Sequence, residues 1–83
     1  MKITFKLYAT LSDYLPAGAA RNAIEIEVPE RTSPNLVIDR YRVPRELSHL
    51  VLINGIYAAA GDRDRTTLED GDTLAVWPPI AGG

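Results

Sequence analysis

The residues whose types and order could do chemistry lie at the end of the chain. Gly82 and Gly83 follow Ile80 and Ala81, behind the pair Pro78-Pro79. Taken alone, two glycines at an end fit simple fraying. The prolines change the reading, because they forbid further ladder hydrogen bonds and project the chain outward. Six residues, 78–83, span at most about 20 Å when extended. Gly82 and Gly83 carry no side chains, so they suit passage through a narrow channel that ends at a carboxylate. A carboxylate becomes electrophilic only when its oxygen is made a leaving group, and adenylation by ATP is the natural route. No Gly-Lys-Ser/Thr phosphate loop is present, so the activating machinery must belong to a partner. An activated terminal carbonyl could then accept sulfur, giving a thiocarboxylate, or an amine, giving an isopeptide.

The elements that must position this end are short strands and one main helix. Lys2 to Tyr8 alternates, with Ile3, Phe5 and Leu7 on one face. Leu11 and Leu15 suit a short helix stopped by Pro16. Ala23 to Val28 alternates again, placing Ile24, Ile26 and Val28 inward, and pairs most simply with the first strand. Thr32 or Ser33 can cap a helix with Pro34 at its first position; Leu36, Val37, Ile38 and Tyr41 supply its apolar stripe. That helix must end near Arg42, ahead of Val43-Pro44. Leu50 to Ile53 reads as a buried strand, Asn54-Gly55 as a hairpin turn and Ile56 to Ala58 as the return. Residues 59–67 read as a polar loop, and Thr73 to Trp77 as the last strand. The order predicts an α+β, ubiquitin-like β-grasp: a mixed four- to five-stranded sheet with one helix on one face and the first and last strands adjacent and parallel. Order alone also permits a ferredoxin-like or small open sheet. The expected division is a domain over 1–77 and a flexible tail over 78–83.

Composition narrows the function classes. The chain has 83 residues and a formal charge of −2, with 46% apolar residues, which suits one small domain and leaves little room for a deep pocket. Without a broad basic field it is expected not to bind nucleic acid. With no Cys and one His, His49, disulfides, thiolate catalysis and Cys-ligated zinc are excluded. No stretch suits a membrane span or a signal segment, so no membrane contact and a cytoplasmic location are expected. Asp62, Asp64, Asp70 and Asp72 lack calcium-loop spacing and read as solvated loop. Arg40, Arg42 and Arg45 read as surface cations and His49 as a turn residue. Tyr8 and Tyr57 read as partly buried sheet residues. Trp77 fits core packing or partner anchoring equally.

The chain resembles the small β-grasp sulfur carriers, a family that includes the molybdopterin synthase small subunit and the thiamine-biosynthesis carrier. The resemblance rests on Tyr8-Ala9, on Val51-Leu52-Ile53-Asn54-Gly55, on Leu68 to Trp77, and above all on Trp77-Pro78-Pro79-Ile80-Ala81-Gly82-Gly83, which is similar to the ending of the molybdopterin branch. It implies that Gly83 is adenylated by a ubiquitin-activating-like adenylyltransferase that uses ATP, while this chain binds no cofactor or metal. It further implies that a sulfur donor then converts Gly83 to a thiocarboxylate. The tail would next enter the molybdopterin synthase large subunit, or another sulfur-accepting enzyme, and deliver sulfur for the molybdenum cofactor. Gly82 would allow threading; Tyr8, Trp77, Pro78, Pro79, Ile80 and Ala81 would meet the partner. The chain itself would be a carrier, without independent catalysis. Ser12-Asp13 departs from the Arg-Glu that members often carry, and Pro16 to Arg21 also differs. Carriers with similar endings serve cysteine, thiamine, tungsten-cofactor or tRNA chemistry; a lysine-conjugating modifier and a noncovalent binding module are the other readings.

Overall fold

The computed structural model describes residues 1–79. β1 (Lys2–Leu7) and β2 (Ala23–Glu27) form an antiparallel hairpin, with Phe5 opposite Ile24 and Lys2 opposite Glu27. The chain then crosses the sheet through helix α1 (Pro34–Arg40). It returns in a second hairpin, β3 (Leu50–Ile53) and β4 (Ile56–Tyr57), and closes with β5 (Thr73–Trp77). β5 runs parallel to β1 and antiparallel to β3, giving the order β2-β1-β5-β3-β4. This is the expected β-grasp arrangement, and it seats the last strand in the middle of the sheet. The chain therefore leaves β5 flanked by β1 and β3.

One face of the sheet makes the core. Ile3, Phe5 and Leu7 of β1 meet Leu74 and Val76 of β5, Val51 of β3, and Val37 and Ile38 of α1, all nearly solvent-free. Each such side chain contributes about 1.5–3 kcal/mol of burial. Leu11, in the 3-10 turn Ala9–Tyr14, closes one end, and that turn stops ahead of Pro16. The second hairpin turns at Asn54 (φ 52°) and Gly55 (φ 82°), the paired left-handed geometry that Asn-Gly favours.

α1 has only seven residues, so its ends and its packing hold it rather than propensity. The Leu36 amide donates to Ser33 Oγ at 3.2 Å, and Pro34 occupies the first position without wasting a donor. Leu36 itself is 59% exposed, contrary to the expected stripe. Val37, Ile38 and Tyr41 fill the core-facing arc, and at 3.6 residues per turn Leu36 falls outside it. At the other end Arg42 takes φ 60°. Its amide donates to the Asp39 carbonyl (3.0 Å), and the Val43 amide donates to the Ile38 carbonyl (3.1 Å). This is a Schellman cap with arginine in the position glycine usually holds, and Val43 and Ile38 supply its apolar contact. Arg42→Gly is therefore expected to raise stability by about 0.5–1 kcal/mol, relief of the left-handed strain exceeding the entropy that glycine adds. Urea unfolding checks this; a lower midpoint would overturn it.

Two further features differ from the sequence expectation. Tyr57 is 58% exposed rather than partly buried, because β4 is a two-residue edge strand with no neighbour beyond it. Residues 59–67 contain the 3-10 turn Ala60–Asp62 and a buried arginine, Arg63, instead of only solvated chain.

Candidate functional site

Strand alternation sends every second side chain to the sheet face opposite α1. From β1 and the residue after it come Lys2, Thr4, Lys6 and Tyr8; from β5 come Thr73, Ala75 and Trp77. β3 contributes Leu50 opposite Trp77 and Leu52 opposite Ala75, and β4 places Tyr57 beside Leu52. The face thus divides. An apolar band runs from Tyr8 through Trp77 and Leu50 to Leu52 and Tyr57, while the β1–β2 side carries Lys2, Lys6, Glu25 and Glu27. The sequence reading named Tyr8 and Trp77 for this role. It missed Leu50 and Leu52, whose side-chain alternation is hidden inside the unbroken apolar run Leu50-Val51-Leu52-Ile53.

The band's aromatic end marks the tail exit. The Tyr8 and Trp77 rings stack face to face, with centroids 4.1 Å apart and an angle of 1° between planes. Both residues are half-buried. Such a pair contributes about 0.5–1.5 kcal/mol beyond the area it covers, and it limits the freedom of both rings. Backbone bonds fix the same point from two sides. The Tyr8 amide donates to the Val76 carbonyl at 3.1 Å, and the His49 amide donates to the Trp77 carbonyl at 3.0 Å. Pro78 and Pro79 have no amide hydrogen to continue the ladder, so pairing stops there. Pro78 is half-buried and Pro79 exposed. Ile80, Ala81, Gly82 and Gly83, named from sequence as the reactive and threading segment, lie outside the described residues.

The remaining polar groups hold turns together. Asp70 Oδ1 accepts from the Lys2 amide (2.7 Å), and Asp72 accepts from the Glu69 amide (2.7 Å) and from Asn54 Nδ2 (2.8 Å). Asp64 accepts from Asn35 Nδ2 at 2.9 Å, and Asp62 pairs with Arg65 at 2.7 Å. Among the described residues no group of three His, Cys, Asp or Glu side chains is placed to hold a metal ion. No described helix is long and apolar enough to cross a membrane. The Arg45 guanidinium, bonded to the Asp39 carboxylate, holds the latter below the usual carboxylate range. The stability it adds is present above that range and fades as pH falls through the lowered value. The pair is exposed and stands away from the apolar band, so it is a minor brace.

A central parallel strand pair with a helix across one face defines a ubiquitin-like β-grasp, and this one carries an aromatic-ended apolar band on the other face. The chain belongs to the ThiS family, whose model matches residues 8–83. Its fold is similar to that of SAMP1 from Haloferax volcanii, at 25% identity and a TM-score of 0.68, with 100% of both chains covered. It is also similar to a Pyrococcus furiosus structure described as molybdopterin converting factor subunit 1 (24% identity, TM-score 0.65, 95% of this chain and 98% of that one). A third similar structure is the complex of subunits 1 and 2 of the molybdopterin-converting factor from Helicobacter pylori (15% identity, TM-score 0.62, 100% of both chains). No curated protein matches the chain.

Proposed function

We propose that the chain is a sulfur carrier that works through the carboxyl group of Gly83 and serves molybdopterin formation. The observation that carries the carrier reading is the ThiS family match, which runs from Tyr8 to Gly83 and so includes Pro78-Pro79-Ile80-Ala81-Gly82-Gly83. The molybdopterin destination is supported by the likeness to molybdopterin converting factor structures. A partner adenylyltransferase binds the apolar band and admits the tail, with Gly82 passing the narrowest point. The Gly83 carboxylate attacks the α-phosphorus of ATP, pyrophosphate leaves, and an acyl adenylate forms. Sulfide then attacks the carbonyl carbon, the bond to AMP breaks and AMP leaves, and loss of the sulfur-bound proton gives a thiocarboxylate. The second partner is a large subunit like the one joined to subunit 1 in the Helicobacter pylori complex, and it takes the sulfur. The domain over 1–77 supplies recognition; the tail over 78–83 supplies reach.

The test is the intact mass of the protein after co-expression with its own adenylyltransferase and a sulfide source. A single oxygen-to-sulfur exchange localised to Gly83 is expected. Gly-Gly remnants on lysines of other proteins, without that exchange, would assign the tail to protein conjugation instead. Trp77→Ala is expected to weaken binding to the adenylyltransferase roughly tenfold or more, since a few large aromatic anchors carry most of an interface's affinity. Calorimetry on the folded variant reads this, and unchanged affinity would remove the aromatic band from the docking surface.

A further inference from the structure

Beside the Tyr8–Trp77 stack lies a cleft of about 280 Å³, lined by Lys6, Tyr8, Ala20, Arg21, Asn22 and Ala23. Its charge is one-sided. Lys2 has Glu27 directly across the ladder, but Lys6 stands between Ala23 on β2 and Ala75 on β5. Among the described residues neither Lys6 nor Arg21 forms an ion pair, a state they share with Lys2, Arg31 and Arg42, and what sets them apart is that both line one cleft. Lys6 and Arg21 are the charged residues that line the cleft, and Glu25, on the same face of β2 two residues beyond Ala23, is not among its lining.

Arg21 is also held in place. It adopts φ 59°, a conformation that costs a side-chain-bearing residue about 1–2 kcal/mol. The turn around it is tied down by four hydrogen bonds. Ala20 and Ala23 exchange amide bonds at 3.0 and 3.1 Å, the Leu7 amide donates to the Asn22 carbonyl at 2.9 Å, and Asn22 Nδ2 donates to the Leu7 carbonyl at 2.9 Å. The guanidinium therefore starts from a backbone fixed to β1, one residue before Tyr8. A partner that meets it spends little on ordering the loop.

The geometry points to this cleft as the seat of a carboxylate side chain of the adenylyltransferase, paired with Lys6 and Arg21 while apolar surface covers Tyr8 and Trp77. The inference rests on the sulfur-carrier reading and adds the chemistry of the partner's contact. Charges at the rim of an apolar patch fix register and speed encounter more than they raise affinity, and salt screens them.

Arg21→Asn is the discriminating variant, because Asn accepts left-handed backbone better than Arg does. It is expected to leave the thermal midpoint equal or higher while weakening adenylyltransferase binding about threefold at low salt. The double reversal Lys6→Glu, Arg21→Glu is expected to weaken it tenfold or more, mostly through slower association, and the deficit should shrink at high salt. Arg21→Lys should restore most of the affinity. Binding that is indifferent to all three variants, in a wild-type chain that does acquire sulfur, overturns the inference and leaves the carrier reading standing. An effect that vanishes once Gly82 and Gly83 are removed would give the cleft to the chain's own carboxylate and overturn it too. A wild-type chain that never acquires sulfur overturns the carrier reading and this inference together.

Discussion

A chain shortened by one residue, ending at Gly82, is expected to fold as the full chain does and to form no detectable thiocarboxylate. The first half follows from where the packing lies. Among the described residues the buried cluster draws on Ile3 to Val76, and the last ladder acceptor is the Trp77 carbonyl. Removing Gly83 touches none of this, so the thermal midpoint should not move. The second half follows from reach. With the stack and the two prolines setting the exit point, one residue fewer withdraws the carboxylate by about 3.4 Å. Misplacement of a reacting group by about 1 Å costs on the order of a hundredfold in rate. Adding a single residue after Gly83 should be as damaging, because the carboxylate then overshoots its site. Intact-mass measurement after co-expression with the adenylyltransferase reads both chains. Sulfur incorporation by either one at more than a tenth of the wild-type rate would overturn the claim that Gly83 is positioned by length. Binding to the adenylyltransferase should survive in both, since the apolar band is untouched.

The parts of this architecture that local sequence encodes were legible. The alternation of Ile3, Phe5 and Leu7 fixed the core face of β1, Ser33-Pro34 marked the start of α1, and Asn54-Gly55 marked a turn whose two residues do take positive φ. Pairing of β1 with β5 followed from two hairpins separated by a helical crossover. The features that stayed hidden depend on neighbours distant in the chain. Tyr57 is exposed because of the place of β4 in the sheet, which its own residue type does not report. Leu50 and Leu52 face away from the core although Val51 and Ile53 beside them are just as apolar. Arg21 and Arg42 take left-handed backbone where a reader expects glycine or asparagine. The chemistry proposed for the tail rests on Pro-Pro and Gly-Gly, whose backbone properties travel with the residue. The surface that must present the tail is made by four strands together, and only folding assembles it.

Arg63 is the sharpest case of the hidden kind, and its loss is expected to cost more stability than any surface change. Set among Asp62, Asp64 and Arg65 it reads as one more solvated charge, yet only 6% of it is exposed. Its guanidinium donates through Nε to the Ala58 carbonyl (2.9 Å), through Nη1 to Ser48 (2.8 Å) and through Nη2 to His49 (3.2 Å). Its own carbonyl accepts from the Asn35 amide at 3.2 Å. One side chain thus joins the loop after β4 to the turn before β3, and its backbone joins both to the start of α1. Backbone carbonyls carry no sequence signature, which is why the role cannot be read from residue types. Arg63→Met keeps the apolar stem but removes all three bonds from the buried acceptors. Hydrogen bonds to charged groups contribute about 1.5–3 kcal/mol each, partly recovered as water reaches the carbonyls, so a net loss of about 3 kcal/mol is expected. A domain of this size has only about 4–12 kcal/mol in total. Arg63→Lys should fall between, near 2 kcal/mol, because a single ammonium cannot reproduce the three-way fork. Urea unfolding measures both. Faster hydrogen exchange at the His49 amide, whose acceptor is the Trp77 carbonyl, should accompany the loss and link this brace to the tail exit. Losses below about 0.5 kcal/mol in both variants would show that water replaces the guanidinium at no cost, and that the fork is incidental.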